Sequence, residues 1–555
     1  MAYLLAERCF CHLRPLKKIK RKLRKKYLLK IFNKIWGIAL TIVLSLSSTL
    51  YADDDRTWND IDRIGLYNSI EEGQIVRNIW EDYTQAEAIA LLDSLPHTLR
   101  SPVYRDVVKR ILLSSGKASK EEVDSPALLA KRLSLLIQYG LFDDVQSLYS
   151  LAVEKNTLPQ DYDLALIGLQ LTMLNGDIAP ICLDVEAFSE QFRDMPAWRE
   201  LSTFCQLRFG SNNKVSVKET SFTHFPILKK ILTSNAVTLS GDQNVFDTLL
   251  IYSNNMSVEK KYDVNARDVK SLSDLALALA VQSRHQSQET YQCYAVEAAK
   301  RGVKDVSFLK KSYDDHQFSK EIFDNGGGNV TLHPCDIPAF FYQKLQKDMA
   351  EEDKATLAAA MMDVTKRIPD IALAPMYDHL SVLTLPNHQW RSVFVQPLVK
   401  KDASTTYESV VFPLEHLQKA NRLNQKNYIK WYDDQNHKNI LRQYNIDPAS
   451  VLYISSILSG DFNHFTGKNR KNDYEKLFSL TYVEKSLGLG VGFNDYIVQN
   501  YSNDNHAAAL IKMIEIVGSY QPQDIYLSDI AVILSALKAY KLEKNAIALS
   551  FEYLQ

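Results

Sequence analysis

Cysteines are the residues whose number and spacing point most directly to a chemistry in this sequence. Four of the six, Cys182, Cys205, Cys293 and Cys335, follow residue 52. An even number of cysteines in an oxidising compartment favours disulfides. Cys182 and Cys205 flank a break at 194–196 between two amphipathic stretches. In a helical hairpin the two antiparallel helices would bring these cysteines side by side, so we predict one bridge between them. The second bridge would then join Cys293 and Cys335. Four cysteines allow three connectivities, and buried free thiols are a further alternative.

No metal, nucleotide or catalytic motif is complete in the sequence. His333-Pro-Cys335 could contribute zinc ligands, but no CxxC or HxxxH spacing supplies their partners. Gly488-Leu-Gly-Val-Gly492 has Phe493 where the dinucleotide fingerprint needs its third glycine, and Thr466-Gly-Lys468 lacks the earlier glycine of a phosphate-binding loop. We therefore predict no metal ligand, no cofactor and no catalytic residue. Whether the protein is an enzyme stays uncertain, with the balance against it.

Two further groups of side chains have a simpler structural interpretation. Phe340-Phe-Tyr342 could line a groove for a peptide or a glycan, but burial in a core is the favoured interpretation. The acidic pairs Glu351-Glu352 and Asp433-Asp434 are interpreted as solvated helix ends.

The first 52 residues differ in charge from the rest of the chain. They contain twelve basic residues and one acidic residue, whereas residues 53–555 contain 53 basic and 65 acidic residues. The basic stretch precedes an uncharged run over 35–52, a pattern typical of a signal peptide, here cleaved between Ala52 and Asp53. An uncleaved anchor is one alternative, since about 18 uncharged residues approach the bilayer thickness. A polybasic nucleic-acid-binding or nuclear-localisation patch is the other.

Export predicts a periplasmic or secreted location for residues 53–555. Their net charge of −12 makes nucleic acid a poor partner and favours neutral or basic surfaces. The inner membrane would be contacted only through the N-terminal segment, if that segment is uncleaved.

Helix capping signals dominate after residue 53. Thr84 and Glu87 match a capping box, in which the threonine accepts the amide of the glutamate and the glutamate reaches back. Ser101-Pro102 and Ser125-Pro126 each place an N-cap residue before a proline at the first helical position. These signals predict three helix starts.

Apolar spacing predicts the lengths of the helices. A helix over 127–139 is followed by Gly140, which can end it in a left-handed conformation, and another helix follows over 143–154. Further helices are predicted over 160–174, 179–192, 196–209, 272–283, 290–301, 354–366, 414–426, 449–458, 505–518, 527–539 and 543–554.

One internal similarity indicates that helix hairpins recur. Residues 136–148 align with residues 537–549, sharing Leu, Tyr, Leu and Leu at equivalent positions. Each segment is interpreted as the elbow of a hairpin, as in tetratricopeptide-like repeats. We predict an all-α fold, a degenerate α-solenoid of stacked hairpins with a few irregular loops and one short β-hairpin within 384–412. Several ordinary helical domains are the alternative.

The predicted organisation has four parts. Residues 1–52 are the signal peptide or N-terminal membrane anchor, and residues 53–320 form an N-terminal helical-repeat region. Residues 321–345 form a Gly-rich loop and linker, and residues 346–555 form a C-terminal helical-repeat region.

Three segments together resemble a loosely defined, mostly uncharacterised group of exported helical-repeat proteins in Alphaproteobacteria. They are Pro180-Ile-Cys182, Trp198-Arg-Glu-Leu-Ser-Thr-Phe-Cys205 and the closing hairpin over 537–553. The resemblance covers about a quarter of the chain and rests on packing residues. It implies a periplasmic α-solenoid in which the two cysteines and Trp198 are structural, and it implies no activity.

The sequence favours a non-enzymatic periplasmic interaction or scaffold protein that binds a protein partner on its helical-repeat surface. One alternative is a peptidoglycan-acting enzyme of the cell envelope with a superhelical scaffold. A secreted, host-directed factor is the other.

Overall fold

The computed structural model describes residues 62–75, 79–116, 125–155, 161–210, 221–234, 237, 244–259, 269–283, 288–324, 332–346, 450, 453–454, 457 and 506–554. All of these residues belong to one structural unit, which runs from Thr57 to Gln555. The predicted signal segment, the β-hairpin within 384–412 and the helices over 354–366 and 414–426 lie outside the described residues.

Within the described ranges the structure contains seventeen α-helices and no β-strand, so the all-α prediction is confirmed. The helices are α1 (Gln85–Asp93), α2 (Pro102–Leu113), α3 (Ala127–Gln138), α4 (Phe142–Lys155), α5 (Tyr162–Met173), α6 (Ala179–Ala187), α7 (Pro196–Phe209), α8 (Pro226–Thr233), α9 (Val245–Glu259), α10 (Asp274–Ser283), α11 (Gln288–Lys300), α12 (Val306–Asp315), α13 (Lys320–Asp324), α14 (Ile337–Gln346), α15 (His506–Val517), α16 (Leu527–Ala539) and α17 (Glu543–Leu554). The sequence analysis did not identify α8, α9, α12, α13 or α14.

Helices α3 and α10 lie at the centre of the packed helices. Helix α10 is apolar on every side from Leu275 to Val281, and a helix with no polar face cannot lie at the surface without exposing apolar area to water. Accordingly, every residue of α10 except Gln282 is buried. Helix α3 carries Lys131 and Arg132 among its apolar residues, and it packs against α1, α2, α4, α5, α9 and α10.

All three helices begin where the capping signals predict, but only two have the predicted cap. Thr84 caps α1 with the full capping box, and the Ser101 hydroxyl accepts the Val103 amide at the start of α2. Helix α3 begins at Ala127 as predicted, but the predicted cap at Ser125 is wrong, because Pro126 occupies the N-cap position and no side chain of the same turn caps the helix. Instead, the Asp62 carboxylate accepts the Leu129 amide at 2.9 Å.

The two aligned segments adopt the same backbone conformation. Gly140 has φ of 70°, and Lys541 at the equivalent position has φ of 58°. The amide that follows each of them donates to the carbonyl five residues earlier, at 2.9 Å in the first elbow and 2.8 Å in the second. This hydrogen bond is the signature of a Schellman helix end, so the elbow prediction is confirmed for both segments.

A buried ionic network fixes the start of α10. The Asp274 carboxylate pairs with Arg105 Nη2 at 2.6 Å and accepts the Leu99 amide at 2.9 Å. Arg301 Nε pairs with Glu297 at 2.6 Å, and its Nη1 lies 3.5 Å from Asp274. A buried charge is tolerated when it is paired and hydrogen-bonded, so this network joins α2, α10 and the end of α11.

Two of the last three helices pack on the first two. Helix α15 contacts α1 and α2, and α17 contacts α2. The Ala508 amide donates to Tyr83 Oη at 3.1 Å, and Asn545 Nδ2 donates to Asp106 Oδ2 at 2.8 Å. Segments more than 400 residues apart therefore share a core. The stacking of all hairpins in one solenoid stays a prediction.

The predicted linker over 321–345 is partly helical. Residues 321–324 belong to α13, and residues 337–345 belong to α14, which packs against α12. The predicted domain boundaries stay predictions. None of the described helices combines the length and the apolar character that a membrane crossing requires.

Candidate functional site

A disulfide joins α6 and α7 into a hairpin. Cys182 and Cys205 lie at disulfide distance, with their Cα atoms 5.4 Å apart. Trp198 Nε1 donates to the Val185 carbonyl at 3.1 Å, which adds a second link between the two helices. The helical hairpin inferred for these cysteines is thus present, although α6 ends at Ala187 rather than at residue 192.

Aromatic rings pack beneath the hairpin and hold it against α5. The rings of Phe192 and Trp198 have centroids 4.8 Å apart, and Tyr162 of α5 meets Phe192 edge to face at 5.6 Å. Phe188 meets Trp198 edge to face at 6.3 Å. Such pairs contribute about 0.5–1.5 kcal/mol each beyond their area burial, so the base of the hairpin is rigid.

The hairpin also exposes large apolar side chains. Leu183 is 73% exposed, Phe209 is 52% exposed and Met195 is 38% exposed; together they are three of the seven exposed large apolar residues in the described ranges. Leu183 follows Cys182, and Phe209 lies one helical turn after Cys205. The Cα atoms of Leu183 and Phe209 are therefore at most about 15 Å apart. We call the surface formed by Leu183 and Phe209 the α6–α7 face.

Negative charge lies along α6 and the turn after it, on the Leu183 side of this face, whereas α7 carries Arg199 and Arg208 and one acidic residue, Glu200. The segment over 177–195 contains five acidic residues and one arginine. Glu186 and Glu190 are exposed, Asp184 is half-buried, and the single arginine, Arg193, pairs with Glu190. Because clustered charges of one sign attract complementary surfaces, the face is suited to an apolar group flanked by basic side chains.

A histidine and a glutamate meet beside the hairpin, but their arrangement is structural. Glu200 of α7 accepts the amides of Thr223, His224 and Phe225 at 2.7–3.0 Å, and its Oε1 lies 3.0 Å from His224 Nδ1. Burial alone would raise the pKa of Glu200, but these hydrogen bonds hold it down at about 2. The carboxylate therefore stabilises the N-terminus of α8.

A second disulfide brings a histidine to its sulfurs. Cys293 of α11 and Cys335, just before α14, lie at disulfide distance, with Cα atoms 5.0 Å apart. His333 Nδ1 lies 3.6 Å from Cys293 Sγ and accepts the Cys335 amide at 3.3 Å. The two sulfurs and one ring nitrogen all lie within 4.8 Å of one another. Both predicted pairings are thus found at disulfide distance, which fits an oxidising, exported compartment.

Motif spacing indicates no metal-ligand partner for His333-Pro-Cys335, and the structure places Cys293, about 40 residues earlier, beside both residues. Spacing within one segment carries no signal for such a contact. Phe340, Phe341 and Tyr342 are buried, so the core interpretation is confirmed for them. The glycine segment over 488–492, the Thr466–Lys468 segment and both acidic pairs lie outside the described residues.

The chain matches no protein-family model, no curated protein and no solved structure.

Proposed function

We propose that this chain is an exported interaction or scaffold protein that binds a protein partner through the α6–α7 face. The observation that carries the proposal is the exposure of Leu183 and Phe209 on one disulfide-tied hairpin. A single exposed leucine is ordinary on a protein surface. Two large exposed apolar side chains, with Cα atoms at most about 15 Å apart on one disulfide-tied hairpin, favour an interface.

The chemistry of the face defines the kind of partner. Leu183 and Phe209 offer an apolar anchor, and the acidic side chains of α6 and the turn after it offer acceptors for lysine or arginine. The partner surface would therefore present an apolar residue with basic neighbours. Because the disulfide and the aromatic base already order the hairpin, binding would cost little conformational entropy at this site.

Site-specific photocrosslinking in the source cell tests the proposal. A photoreactive amino acid at position 183 or 209 is expected to yield one crosslinked partner from the envelope fraction. The matched control carries the photoreactive amino acid in place of Ile70, which is 56% exposed elsewhere in the fold. This control is expected to yield no crosslinked partner. The partner is then retrieved in a pull-down with wild-type chain.

Charge substitutions supply the second arm of the test. Leu183→Glu is expected to reduce retrieval of that partner about tenfold or more, the effect of losing an anchor worth about 1.4 kcal/mol. Ile70→Glu is expected to leave retrieval unchanged. Equal behaviour of the two variants, or a wild-type chain that reproducibly retrieves no partner, would count against the proposed function.

A further inference from the structure

The second disulfide has a feature that the first lacks, namely a side chain able to bind metal beside its sulfurs. We propose that Cys293, Cys335 and His333 form a redox-gated site for a thiophilic divalent cation of the Zn²⁺ type. In the oxidised chain the disulfide occupies the thiols, and in the reduced chain two thiolates and one imidazole become ligands.

The distances in the cluster suit such a cation. Zinc binds thiolate sulfur at about 2.3 Å and imidazole nitrogen at about 2.0 Å, so tetrahedral geometry places a sulfur and a nitrogen about 3.5 Å apart. The observed distance between Cys293 Sγ and His333 Nδ1 is 3.6 Å. Only the two sulfurs must separate, and rotation of their side chains allows this once the covalent bond is broken.

The backbone around the cluster is held by other contacts besides the disulfide. The turn over 333–336 is closed by the Asp336 amide, which donates to the His333 carbonyl at 2.8 Å. Helices α11, α12 and α14 share a core of Val296, Leu309 and Phe340. Reduction therefore leaves the three ligands close together, and a preorganised site binds metal more tightly than a mobile one.

The surroundings also allow a cation to enter. His333 is exposed, and Cys293 and Cys335 are half-buried. Three protein ligands leave one tetrahedral position for water, as in zinc sites that are not purely structural.

The switch consists of a two-electron reduction of the disulfide followed by metal binding. A dithiol reductant transfers two electrons and two protons to the Cys293–Cys335 bond and becomes a disulfide itself, leaving two thiols on this chain. Binding of Zn²⁺ then releases the two thiol protons, and the neutral imidazole contributes its Nδ1 lone pair, which in the oxidised chain accepts the Cys335 amide. In the reverse step an oxidant of the disulfide class accepts two electrons from the two thiolates and two protons from solvent and becomes a dithiol, so that the Cys293–Cys335 bond re-forms and the cation is released.

Metal titration of a full-length variant tests the proposal. The chain carries Cys9, Cys11, Cys182 and Cys205 as serine, so that Cys293 and Cys335 are its only thiols. After reduction with a phosphine, it is expected to bind one Zn²⁺ per chain, and Co²⁺ is expected to give a thiolate-to-metal charge-transfer band. Before reduction neither signal is expected.

Histidine variants separate the proposed site from a simple dithiol. In the same background, His333→Ala is expected to weaken Zn²⁺ binding at least about tenfold, since even outer-shell partners of metal ligands contribute 10–100-fold. His224→Ala, at another partly exposed histidine, is the control and is expected to bind Zn²⁺ as tightly as the background chain.

A thiol-protection measurement in the otherwise unmodified chain tests the proposal independently of whether the serine variant folds. After reduction, Zn²⁺ is expected to slow alkylation of Cys293 and Cys335 but not of Cys182 and Cys205, as read by peptide mass mapping. The proposal is overturned if the reduced chain binds no Zn²⁺ at these cysteines, or if His333→Ala binds it as tightly as His224→Ala.

Discussion

Substitutions at the equivalent positions of the two Schellman elbows are expected to change stability in opposite directions. Lys541 is exposed and holds φ of 58°, a conformation that costs an L-residue about 1–2 kcal/mol relative to glycine. Lys541→Gly removes that cost but gives the unfolded chain about 0.4–1 kcal/mol more conformational entropy. The net expectation is a gain of about 0.7 kcal/mol in the stability of the elbow.

The reverse change at the other elbow is expected to be harmful. Gly140 has φ of 70°, and a Cβ there would lie 2.6 Å from the Cβ of Ala278 in α10. Gly140→Ala therefore combines backbone strain of about 1–2 kcal/mol with overpacking of about 1–3 kcal/mol. We expect a loss of about 2–5 kcal/mol.

Native-state hydrogen exchange of the full chain measures both effects locally. The reporters are the amides of Leu542 and Leu141, which make the closing hydrogen bonds of the two elbows. Lys541→Gly is expected to slow exchange of the Leu542 amide about threefold, and Gly140→Ala to accelerate exchange at Leu141 strongly. Lys544→Gly, at an exposed position inside α17, is the matched control and is expected to accelerate exchange. Faster exchange at Leu542 in Lys541→Gly would refute the assignment of a left-handed elbow.

Three further predictions concern covalent and electrostatic contacts. Replacing Cys182 and Cys205 by serine removes a bridge with a sequence separation of 23, and urea unfolding is expected to show a loss of about 3 kcal/mol on the chain-entropy estimate; an unchanged midpoint would contradict this. Burial raises the pKa of Asp62 to about 6, so its stabilising contribution is full below the unfolded value near 3.8 and is lost as pH rises through 6. The wild type is expected to lose about 3 kcal/mol relative to Asp62→Asn between about pH 4 and pH 7, and parallel pH profiles would argue against it. The pKa of Glu200 is about 2, so its contribution is present above the unfolded value and is lost as pH falls towards 2; Glu200→Gln is expected to cost about 1–2 kcal/mol at neutral pH after allowance for solvent screening, with no cost in thermal unfolding at about pH 2.

Capping and hairpin elbows were predictable because their signals are local. Thr84 and Glu87 lie in one turn, and the residues that form each elbow lie within six positions of one another. The Cys182–Cys205 bridge was predictable for a related reason, since both cysteines belong to neighbouring helices of one hairpin.

Predictions failed where the decisive partner is distant in sequence. The start of α3 is capped by Asp62, which lies 67 residues before the amide it accepts. A serine directly before the proline gave the stronger local signal, yet the Ser125 carbonyl instead accepts a hydrogen bond from Gln85 Nε2 at 2.7 Å. The contact of the His333 ring with Cys293 likewise joins residues 40 positions apart and has no signal in local spacing, whereas the prediction of no metal ligand there stays a prediction.

Sequence alone determined the all-α class, the two hairpin elbows and the division between a basic N-terminal segment and an acidic remainder. Helix propensity, helix capping and local charge could be read from the sequence because each depends on neighbouring residues. Tertiary structure decided which helices became central, which carboxylate capped α3 and which histidine reached a pair of sulfurs. It also decided that α15 and α17 lie on α1 and α2. Such contacts depend on which apolar faces bury one another, and periodicity shows that a face is apolar without showing what covers it.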